Sequence, residues 1–382
     1  MKLKIDIMGL FNKKQEDFLG VDIGTSSIKI VQLTNEKNKG KLITYGMVEL
    51  EADLIRNKTP QTIKNIKDSL KKLIEKSRIS TKTCSAALPT FSVFSSVISL
   101  PAMAKNDLDS AVKWEAKKFI PSPIEDMILD WKIIQDGKNV RPINKDKKDV
   151  INGGALNVSN RGDIIKTKSN FNRILLTAAP QNLVNIYLDI FKEVGLNLFS
   201  LEVESFAMAR SLMSDDGACA MIVDIGSVTT DVCVIENNLP VLNRSIEVGG
   251  NSMTKSIAKS LNISFERAEQ FKQDFGLSSI KGGTTNIPKT IEETLSPMVN
   301  EIKYVFDLYK RQSRGNIDKV ILSGGSAYLP NLIDYLSQTL NSPVYIGDAW
   351  HKIKYPMELK PVLDEIGPRF SVAIGLALRG IE

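Results

Sequence analysis

The sequence predicts a two-lobed α/β fold, and three observations lead to this prediction. The chain has 382 residues, about two to three times the length of a typical domain, so two domains are expected. Its hydrophobic content of 42% and charged content of 25% exclude a collagen-like, wholly disordered or disulfide-framework chain. A strand, turn and strand pattern occurs twice, at 18–33 and 220–235, with alternating helical and strand patterns between the copies. Two similar lobes around a cleft are therefore expected.

The repeat is specific in its details. FLGVDIGTSSIKIVQL and AMIVDIGSVTTDVCVI both consist of an apolar strand, Asp-Ile-Gly, a hydroxyl-rich turn and a second apolar strand. A single copy is typical of an ordinary hairpin whose Asp caps its own turn. Two copies with matched flanks, one in each half of the chain, favour two lobes that each present one turn to the cleft.

The first lobe is predicted to alternate strands and helices. Apolar residues recur at helical spacing in Pro60 to Lys76 and in Gln181 to Val194, with polar residues opposite them. Thr83 to Leu88 and Arg173 to Ala178 are predicted strands. This alternation is typical of an α/β layer.

An inserted subdomain interrupts the first lobe. It is predicted to contain a strand at 93–100, a helix at 107–119 and a strand at 128–134. The next stretch, 138–170, has no aromatic residue and is rich in Lys, Asn, Asp and Gly, so we predict a long flexible loop without a chemical role.

The second lobe is predicted to begin at Ala220 and to be mainly helical after its hairpin. Its predicted elements are helices at 253–261 and 264–275, a Gly/Thr-rich break at 281–288, a long helix at 291–312, and a strand, Ser-Gly-Gly-Ser turn and helix over 319–332. The chain then ends on an apolar helix at 370–378.

Charge, cysteine content and hydropathy exclude several classes of protein. The net charge of +6 comes from 50 basic and 44 acidic residues that are interspersed, which is weak evidence for nucleic-acid binding. Three cysteines without CxxC spacing are expected to be reduced core residues. The uncharged run at 83–104 contains two prolines and six serines or threonines after its first residue, so it predicts strands and a turn instead of a membrane span. The first 17 residues lack the apolar core of a secretory signal, and a cytoplasmic protein is expected.

The two turns predict phosphate binding. Backbone N–H groups at glycine turns converge into nests that hold phosphate oxygens, and small hydroxyl residues add donors. The predicted nests consist of Gly24, Thr25, Ser26 and Ser27 in the first lobe and Gly226, Ser227, Thr229 and Thr230 in the second. Asp22 and Asp224 end their strands beside these nests, where facing carboxylates are suited to a hydrated Mg²⁺. Gly324 and Gly325 form a third glycine site that permits close approach of a ligand.

In their order along the chain, these segments resemble the five nucleotide-binding segments of the actin, sugar kinase and Hsp70 superfamily. The segments are VDIGTSSIK from Val21 (phosphate 1), EVESFAMARSL from Glu202 (connect 1), VDIGSVTTDVCV from Val223 (phosphate 2), EVGGNSMTKSIA from Glu247 (connect 2) and SGGSAYLPNL from Ser323 (adenosine). The resemblance implies an actin-like, ribonuclease H-like ATPase fold that binds ATP with Mg²⁺.

Within the superfamily, the chain resembles the type IV pilus assembly protein PilM family. The motifs that carry this resemblance are MGLFNKKQEDFLGVDIGTSSIKIVQL, LPAMAKNDLDSAVKWEAKKFIPSPIEDMILDW, VESFAMARSL, SFERAEQFKQDFG and SVAIGLALRG. The inserted segment resembles the 1C subdomain of the cell-division protein FtsA and of PilM. The implied division is a first lobe (1A) of 17–92 and 171–219 completed by 363–382, a 1C insert of 93–170, a second lobe (2A) of 220–252 and 318–362, and a 2B subdomain of 253–317.

The resemblance also implies roles for individual residues. Asp22 and Asp224 would hold the metal, the two nests with Lys29 would grip phosphates, and Glu202 would orient an attacking water. Residues implied to contact the rest of the nucleotide are Gly249, Gly250, Glu269, Lys272, Gly324, Gly325 and Ser326. Val228 stands where many superfamily members have glycine, so weaker phosphate binding or slow hydrolysis is expected.

The function implied by the resemblance is that of an ATP-binding adaptor in type IV pilus assembly. Its partner would be the short N-terminal cytoplasmic tail of the inner-membrane protein PilN, of the Ile-Asn-Leu-Leu-Pro type, docked between the first lobe and the insert. Contacts with other pilus proteins and self-association are further expectations. An FtsA-like filament former is an alternative, although this chain ends at ALRGIE without a linker and amphipathic helix. A small-molecule kinase is a second alternative, for which we find no acceptor or base motif.

Several remaining residues have ordinary structural explanations. His351 is expected in a surface loop, and one histidine cannot form a multi-histidine metal site. Trp114 and Trp131 are expected in the core of the insert. Phe119 is expected to close the same core.

Overall fold

Two β-sheets and nine α-helices make up the described part of the chain. The computed structural model describes residues 17–51, 56–120, 122–134, 171–278, 287–311 and 315–381. The predicted loop at 138–170 and most of the predicted break at 281–288 lie outside these residues.

The strands in chain order are β1 (Asp17–Ile23), β2 (Ser27–Glu36), β3 (Lys39–Glu49), β4 (Thr83–Leu88), β5 (Phe94–Pro101), β6 (Met127–Ile134), β7 (Phe171–Pro180), β8 (Asn197–Val203), β9 (Ala220–Ile225), β10 (Thr230–Glu236), β11 (Leu239–Ile246), β12 (Lys319–Ser323), β13 (Val344–Ile346) and β14 (Ile353–Lys354). The helices are α1 (Pro60–Lys76), α2 (Lys105–Ala116), α3 (Gln181–Glu193), α4 (Glu204–Leu212), α5 (Gly250–Leu261), α6 (Phe265–Phe275), α7 (Ile287–Arg311), α8 (Leu332–Leu340) and α9 (Lys360–Leu378).

Each sheet is organised around one copy of the repeat. The six-stranded sheet has the order β14-β3-β2-β1-β4-β8, and the eight-stranded sheet has the order β13-β12-β9-β10-β11-β5-β7-β6. In both, the two strands of the repeat form an antiparallel hairpin. We call the six-stranded sheet with its helices the first lobe, β9–β13 with α5–α8 the second lobe, and β5–β7 with α2 the insert. The two-lobed α/β prediction is confirmed.

The C-terminal helix α9 joins the two lobes. It belongs to one hydrophobic cluster with Val31 of the first lobe and Ile222 of the second. It also lies against β1 so closely that a Cβ on Gly20 would be 2.0 Å from the carbonyl oxygen of Ala373. Glycine at this position therefore permits contact between a strand and a helix that a larger residue would prevent.

The placement of β7 differs from the sequence prediction. Arg173 to Ala178 was assigned to the α/β layer of the first lobe, but β7 pairs along its length with β5 and β6. A strand pattern indicates buried faces and does not identify the neighbouring strands. Beyond β5 the sheet reaches β11 through one pair, Ser96 with Leu242. The division of the chain into subdomains stays a prediction.

The exposed aromatic residues of the insert are a second difference. The inner stripe of α2 consists of Leu108, Val112 and Ala116. Trp114 lies on the opposite face and is 65% exposed, so its predicted core position is wrong, and Phe119 is also exposed. The ammonium of Lys118 lies 4.2 Å from the centre of the Trp114 ring, an arrangement that partly covers the indole.

Other predictions about single residues are confirmed wholly or in part. His351 lies in an exposed turn, and the cysteines are free thiols, with Cys84 and Cys233 buried and Cys219 half-buried. Trp131 is half-buried and packs against the core of the insert. None of the helices formed by the described residues has the length and apolar character needed to cross a bilayer.

Candidate functional site

The turns of the two hairpins meet at a cleft between the lobes. The N–H of Gly24 donates to the carbonyl of Ser27 at 3.0 Å, and the N–H of Gly226 donates to the carbonyl of Thr229 at 2.9 Å. The hydroxyls of Thr25 and Ser227 lie 3.1 Å apart across the cleft. The two turns are thus closed in the same way and face each other.

The cleft has a volume of about 910 Å³ and is lined by most of the predicted site residues. These are Asp22, Gly24, Thr25, Ser26, Ser27, Lys29, Asp224, Gly226, Ser227, Thr229, Gly250, Glu269, Lys272, Gly324, Gly325 and Ser326. Of the other predicted residues, Thr230 is buried behind the turn, where its hydroxyl donates to the carbonyl of Val248 at 2.7 Å. Val228 is half-buried and is not among the lining residues.

Glycines keep the backbone of the second lobe close to the cleft. Gly324 has a φ of +88°, and a Cβ there would lie 2.4 Å from the carbonyl oxygen of Ile225. A Cβ on Gly249 would lie 2.7 Å from the carbonyl oxygen of Gly226, to which the N–H of Gly250 donates at 2.9 Å. Connect 2 and the adenosine segment are therefore held against the second turn by contacts that side chains would block.

The aspartates at the ends of β1 and β9 have different surroundings. Asp22 is 4% exposed and pairs with the ammonium of Lys29 at 3.1 Å. Asp224 lies opposite Asp231 in the β9–β10 register. Burial is the main cause that raises the pKa of Asp224 to about 6 and that of Asp231 to about 7. Asp231 Oδ1 is buried and lacks a hydrogen-bond partner among the described atoms.

The acidic residue of connect 1 that reaches the cleft is Glu204, which the sequence analysis missed. Glu204 begins α4, lines the cleft, and accepts hydrogen bonds from the N–H of Thr90 at 2.8 Å and from its hydroxyl at 3.1 Å. Burial, followed by the charges of Asp231 and Asp22, raises its pKa well above the usual range. The first residue of a helix that follows a strand was the signal that could have identified it.

Glu202, which the resemblance implied would orient an attacking water, lies outside the cleft. Glu202 is fully buried and pairs with Arg210 at 2.7 Å and with Arg379 at 3.3 Å. Arg210 also donates to the carbonyl of Gly375 at 2.7 Å. The carboxylate of Glu202 thus joins β8, α4 and the end of α9. Residues two apart in one strand would share a face, but β8 ends at Val203 and α4 begins at Glu204, so the two glutamates point to different environments.

Glu269 and Lys272 form a polar group at the opposite wall of the cleft. The ammonium of Lys272 lies 2.7 Å from Glu269 and 3.0 Å from the hydroxyl of Thr254. Burial acts to raise the pKa of Glu269, but the bonds from Lys272 and Thr254 hold it below the usual value. Aromatic and cationic residues absent from the prediction complete this wall; they are Phe265, Tyr328 and Arg369.

The residues present fit a magnesium ion bound together with phosphates. Within the described residues, no group of three or more His, Cys, Asp or Glu side chains could hold a metal by itself. Mg²⁺ commonly keeps several waters and needs only one or two carboxylates plus phosphate oxygens. Asp22 and Asp224 would supply those carboxylates, and Asp231, with its buried Oδ1, lies opposite Asp224.

A second cavity of about 730 Å³ lies where the insert meets both lobes. We call it the junction groove, and its wall is formed by Arg56, Lys58, Thr90 and Phe91 of the first lobe, Val93–Val97 at the start of the insert, and Val241–Ser245, Glu247 and Leu308 of the second lobe. Arg56 crosses the groove, lying 4.6 Å from the ring centre of Phe91 and 2.9 Å from Glu247. Phe91 lines both the groove and the cleft.

Comparisons with known proteins agree on the fold. A solved PilM-PilN type IV pilus biogenesis complex contains a chain 24% identical to this one, with a TM-score of 0.76 over 97% of this chain and 100% of that chain. MreB 5 of Spiroplasma citri bound to AMPPNP is 14% identical, with a TM-score of 0.52 over 95% of each chain. The two-lobed α/β fold is thus an actin-like fold that the chain shares with these structures.

Curated relatives include cell-division FtsA proteins. FtsA of Neisseria meningitidis serogroup B is 26% identical over 228 residues, 53% of this chain and 52% of that protein, so the chain spans about half the length of this relative. FtsA of Streptococcus pneumoniae serotype 2 is 23% identical over 351 residues, 83% of this chain and 72% of that protein. The family described as type IV pilus assembly protein PilM matches residues 20–381, nearly the whole chain, and the chain therefore belongs to this family.

Proposed function

We propose that this protein is a cytoplasmic ATP-binding adaptor of the type IV pilus machinery that binds the N-terminal tail of a PilN protein. The observation that carries the proposal is the position of Phe91, which lines both the cleft and the junction groove. One side chain is thereby exposed to two ligands. The role of an adaptor is to make the binding of one depend on the other.

The cleft supports the nucleotide part of the proposal. Two turns closed by matching hydrogen bonds face each other with hydroxyl groups between them, and their remaining N–H groups would hold phosphate oxygens. Asp22 and Asp224 would hold Mg²⁺, which would neutralise phosphate charge when bound. Lys29 would contact phosphate oxygens, and Glu204 is placed to position a water. Val228 does not line the cleft, so the expectation of slow hydrolysis no longer rests on its bulk.

The junction groove supports the partner part of the proposal. An extended peptide gains affinity by adding to a strand edge while its side chains fill pockets. β5 and β11 pair at Ser96 and Leu242 alone, so on either side of this pair their facing edges diverge. Val93, Val97 and Val241 supply apolar surface for leucines of the tail.

The same groove explains how nucleotide would affect the partner. Its wall contains residues of both lobes, so a change in the angle between the lobes changes its width. Thr90 lines the groove and donates both of its hydrogen bonds to Glu204 in the cleft. Glu247, on the far wall, lies two residues before Gly249, which packs on the second turn. Each side of the groove is thus connected to the cleft over a few residues.

Fluorescence anisotropy of a labelled PilN tail peptide tests the proposal. The peptide is expected to bind the full chain with an affinity that differs between nucleotide-free and Mg²⁺–ATP conditions. Val97→Asp in the groove should weaken binding by about tenfold or more, because a charge replaces an apolar contact. Val362→Asp, at an exposed position on α9, is the matched control and should leave it unchanged.

A peptide carrying a photo-crosslinker provides a test that does not depend on a substituted protein. Crosslinks within 93–97 or 241–245 support the groove. Crosslinks elsewhere, or no binding with and without ATP by protein of native thermal stability, would show that the adaptor proposal is wrong.

A further inference from the structure

One short region of this chain carries a large excess of positive charge. Residues 58–82 contain eight basic side chains and two acidic ones, Asp68 and Glu75, which gives a net charge of +6. The charges of the remaining residues sum to zero, with a second net-positive stretch at 138–170. We call this region the basic surface, and its cations are Lys58, Lys64, Lys67, Lys71, Lys72, Lys76, Arg78 and Lys82.

The cations of the basic surface point away from the core. Helix α1 buries the stripe formed by Thr62, Ile66, Leu70 and Leu73, and every cation of the surface is exposed except Lys67. Lys67 is half-buried and pairs with Glu193 at 2.7 Å. With 17 residues the helix is about 25 Å long, and cations also flank both of its ends. The charge is therefore spread over a long, solvent-facing strip.

We propose that the basic surface docks on an anionic phospholipid bilayer. Seven of its eight cations are lysines, whose compact charges on flexible stems suit attraction to a layer of headgroups. Recognition of nucleic acid commonly adds arginine forks and aromatic stacking, and residues 58–82 contain one arginine and no aromatic residue. The charge complementarity thus favours a lipid surface.

The position of Lys58 gives a second argument, which rests on the proposed function. Lys58 lines the junction groove at the N-terminal end of α1. A partner tail that emerges from the inner membrane into this groove would hold the adjoining strip near the bilayer. Lipid contact by the basic surface would add to the affinity of the tail because the two attachments act together.

Vesicle binding tests the proposal with the full chain and without peptide or ATP, so its outcome is independent of the adaptor proposal. The protein is expected to float with vesicles that contain phosphatidylglycerol and not with phosphatidylcholine vesicles. Binding should fall steeply with salt, since screening weakens exposed charges. The combined variant Lys71→Gln, Lys72→Gln and Lys76→Gln should weaken binding about a hundredfold, at about fivefold per lysine.

A second triple variant with the same change in net charge is the matched control. Lys289, Lys303 and Lys310 are exposed on α7, and their replacement by Gln should change vesicle binding by less than about threefold. Equal losses in the two triple variants, no flotation of the wild type with anionic vesicles, or tighter binding to RNA than to those vesicles would overturn the proposal.

Discussion

The two Asp-Ile-Gly hairpins have the same backbone geometry but differ in charge. In each, a glycine N–H closes the turn onto a carbonyl three residues later, at 3.0 Å in the first lobe and 2.9 Å in the second. In each, the aspartate faces the residue seven positions ahead, across an antiparallel pair. That residue is Lys29 in the first lobe and Asp231 in the second.

This difference shows that the repeat preserves geometry and not electrostatics. Asp22 has a cation beside it, whereas Asp224 has a second acid. In the second lobe, burial raises the pKa of both aspartates, which favours their uncharged forms. The two halves of the cleft should therefore respond differently to substitution, pH and metal.

Removal of the cation should have the largest effect. Lys29→Met leaves Asp22 buried without a partner, and breaking such a pair costs about 3 kcal/mol of the free energy of unfolding. Urea denaturation of the nucleotide-free protein measures this loss. Lys41→Met, which breaks an exposed pair with Glu36, is the control and should cost less than about 1 kcal/mol. Equal costs would mean that the first hairpin is not held by its ion pair.

The contribution of the second hairpin to the stability of the protein should depend on pH. Because Asp224 and Asp231 bind protons more tightly folded than unfolded, they stabilise the protein at low pH, and this contribution is lost as pH rises from about 4 to 7. Asp231→Asn removes the like charge. The free energy of unfolding of this variant should exceed that of the wild type by about 2 kcal/mol at pH 8 and by little at pH 5. Denaturation curves at the two pH values test this. A variant less stable than wild type at pH 8 would contradict the assignment.

Metal-dependent nucleotide binding should depend on both hairpins. Asp22→Asn and Asp224→Asn are each expected to weaken Mg²⁺–ATP binding about tenfold, the effect of losing one charged contact. Without Mg²⁺ either variant should bind ATP at least as well as wild type, because repulsion from the phosphates decreases. Isothermal titration calorimetry with and without EDTA distinguishes these cases. Unchanged affinity in both variants would refute a cleft shared by the two lobes.

Making the two turns chemically alike should have the smallest effect. Val228 matches Ser26 in the repeat, but Ser26 lines the cleft and Val228 does not. Val228→Ser is therefore expected to change ATP affinity by less than about threefold, and phosphate release should stay below about 1 per second in both proteins. A tenfold higher ATP affinity of the variant would show that Val228 weakens phosphate binding.

The sequence was sufficient for features that depend on local pattern. The repeat identified Asp22 and Asp224, and helical spacing identified α1 and α3. Prediction from the sequence failed for residues whose role depends on the environment that the side chain enters. Glu202 and Glu204 are two residues apart at a strand end, and their types are identical, so only tertiary contacts distinguish a buried clamp from a cleft residue.

The predictions of strand partners and of buried helix faces were incomplete or wrong for the same reason. The pattern of β7 predicted a strand without its partners, and the aromatic side chain of Trp114 was expected to be buried although it lies on the outer face of α2. Arg369 reaches the cleft from a segment without a recognised motif, and Tyr328 lies in the adenosine segment, whose motif did not single it out.

The position of α9 has a consequence for the biosynthesis of the protein. β1 leaves the ribosome long before α9, yet the face of the sheet around Gly20 is covered by α9. During translation that face stays exposed to water and to chaperones until α9 has emerged. The first lobe is therefore expected to mature only after α9 is synthesised, so nascent chains that lack α9 should remain protease-sensitive at 17–36 even when 220–340 has become resistant.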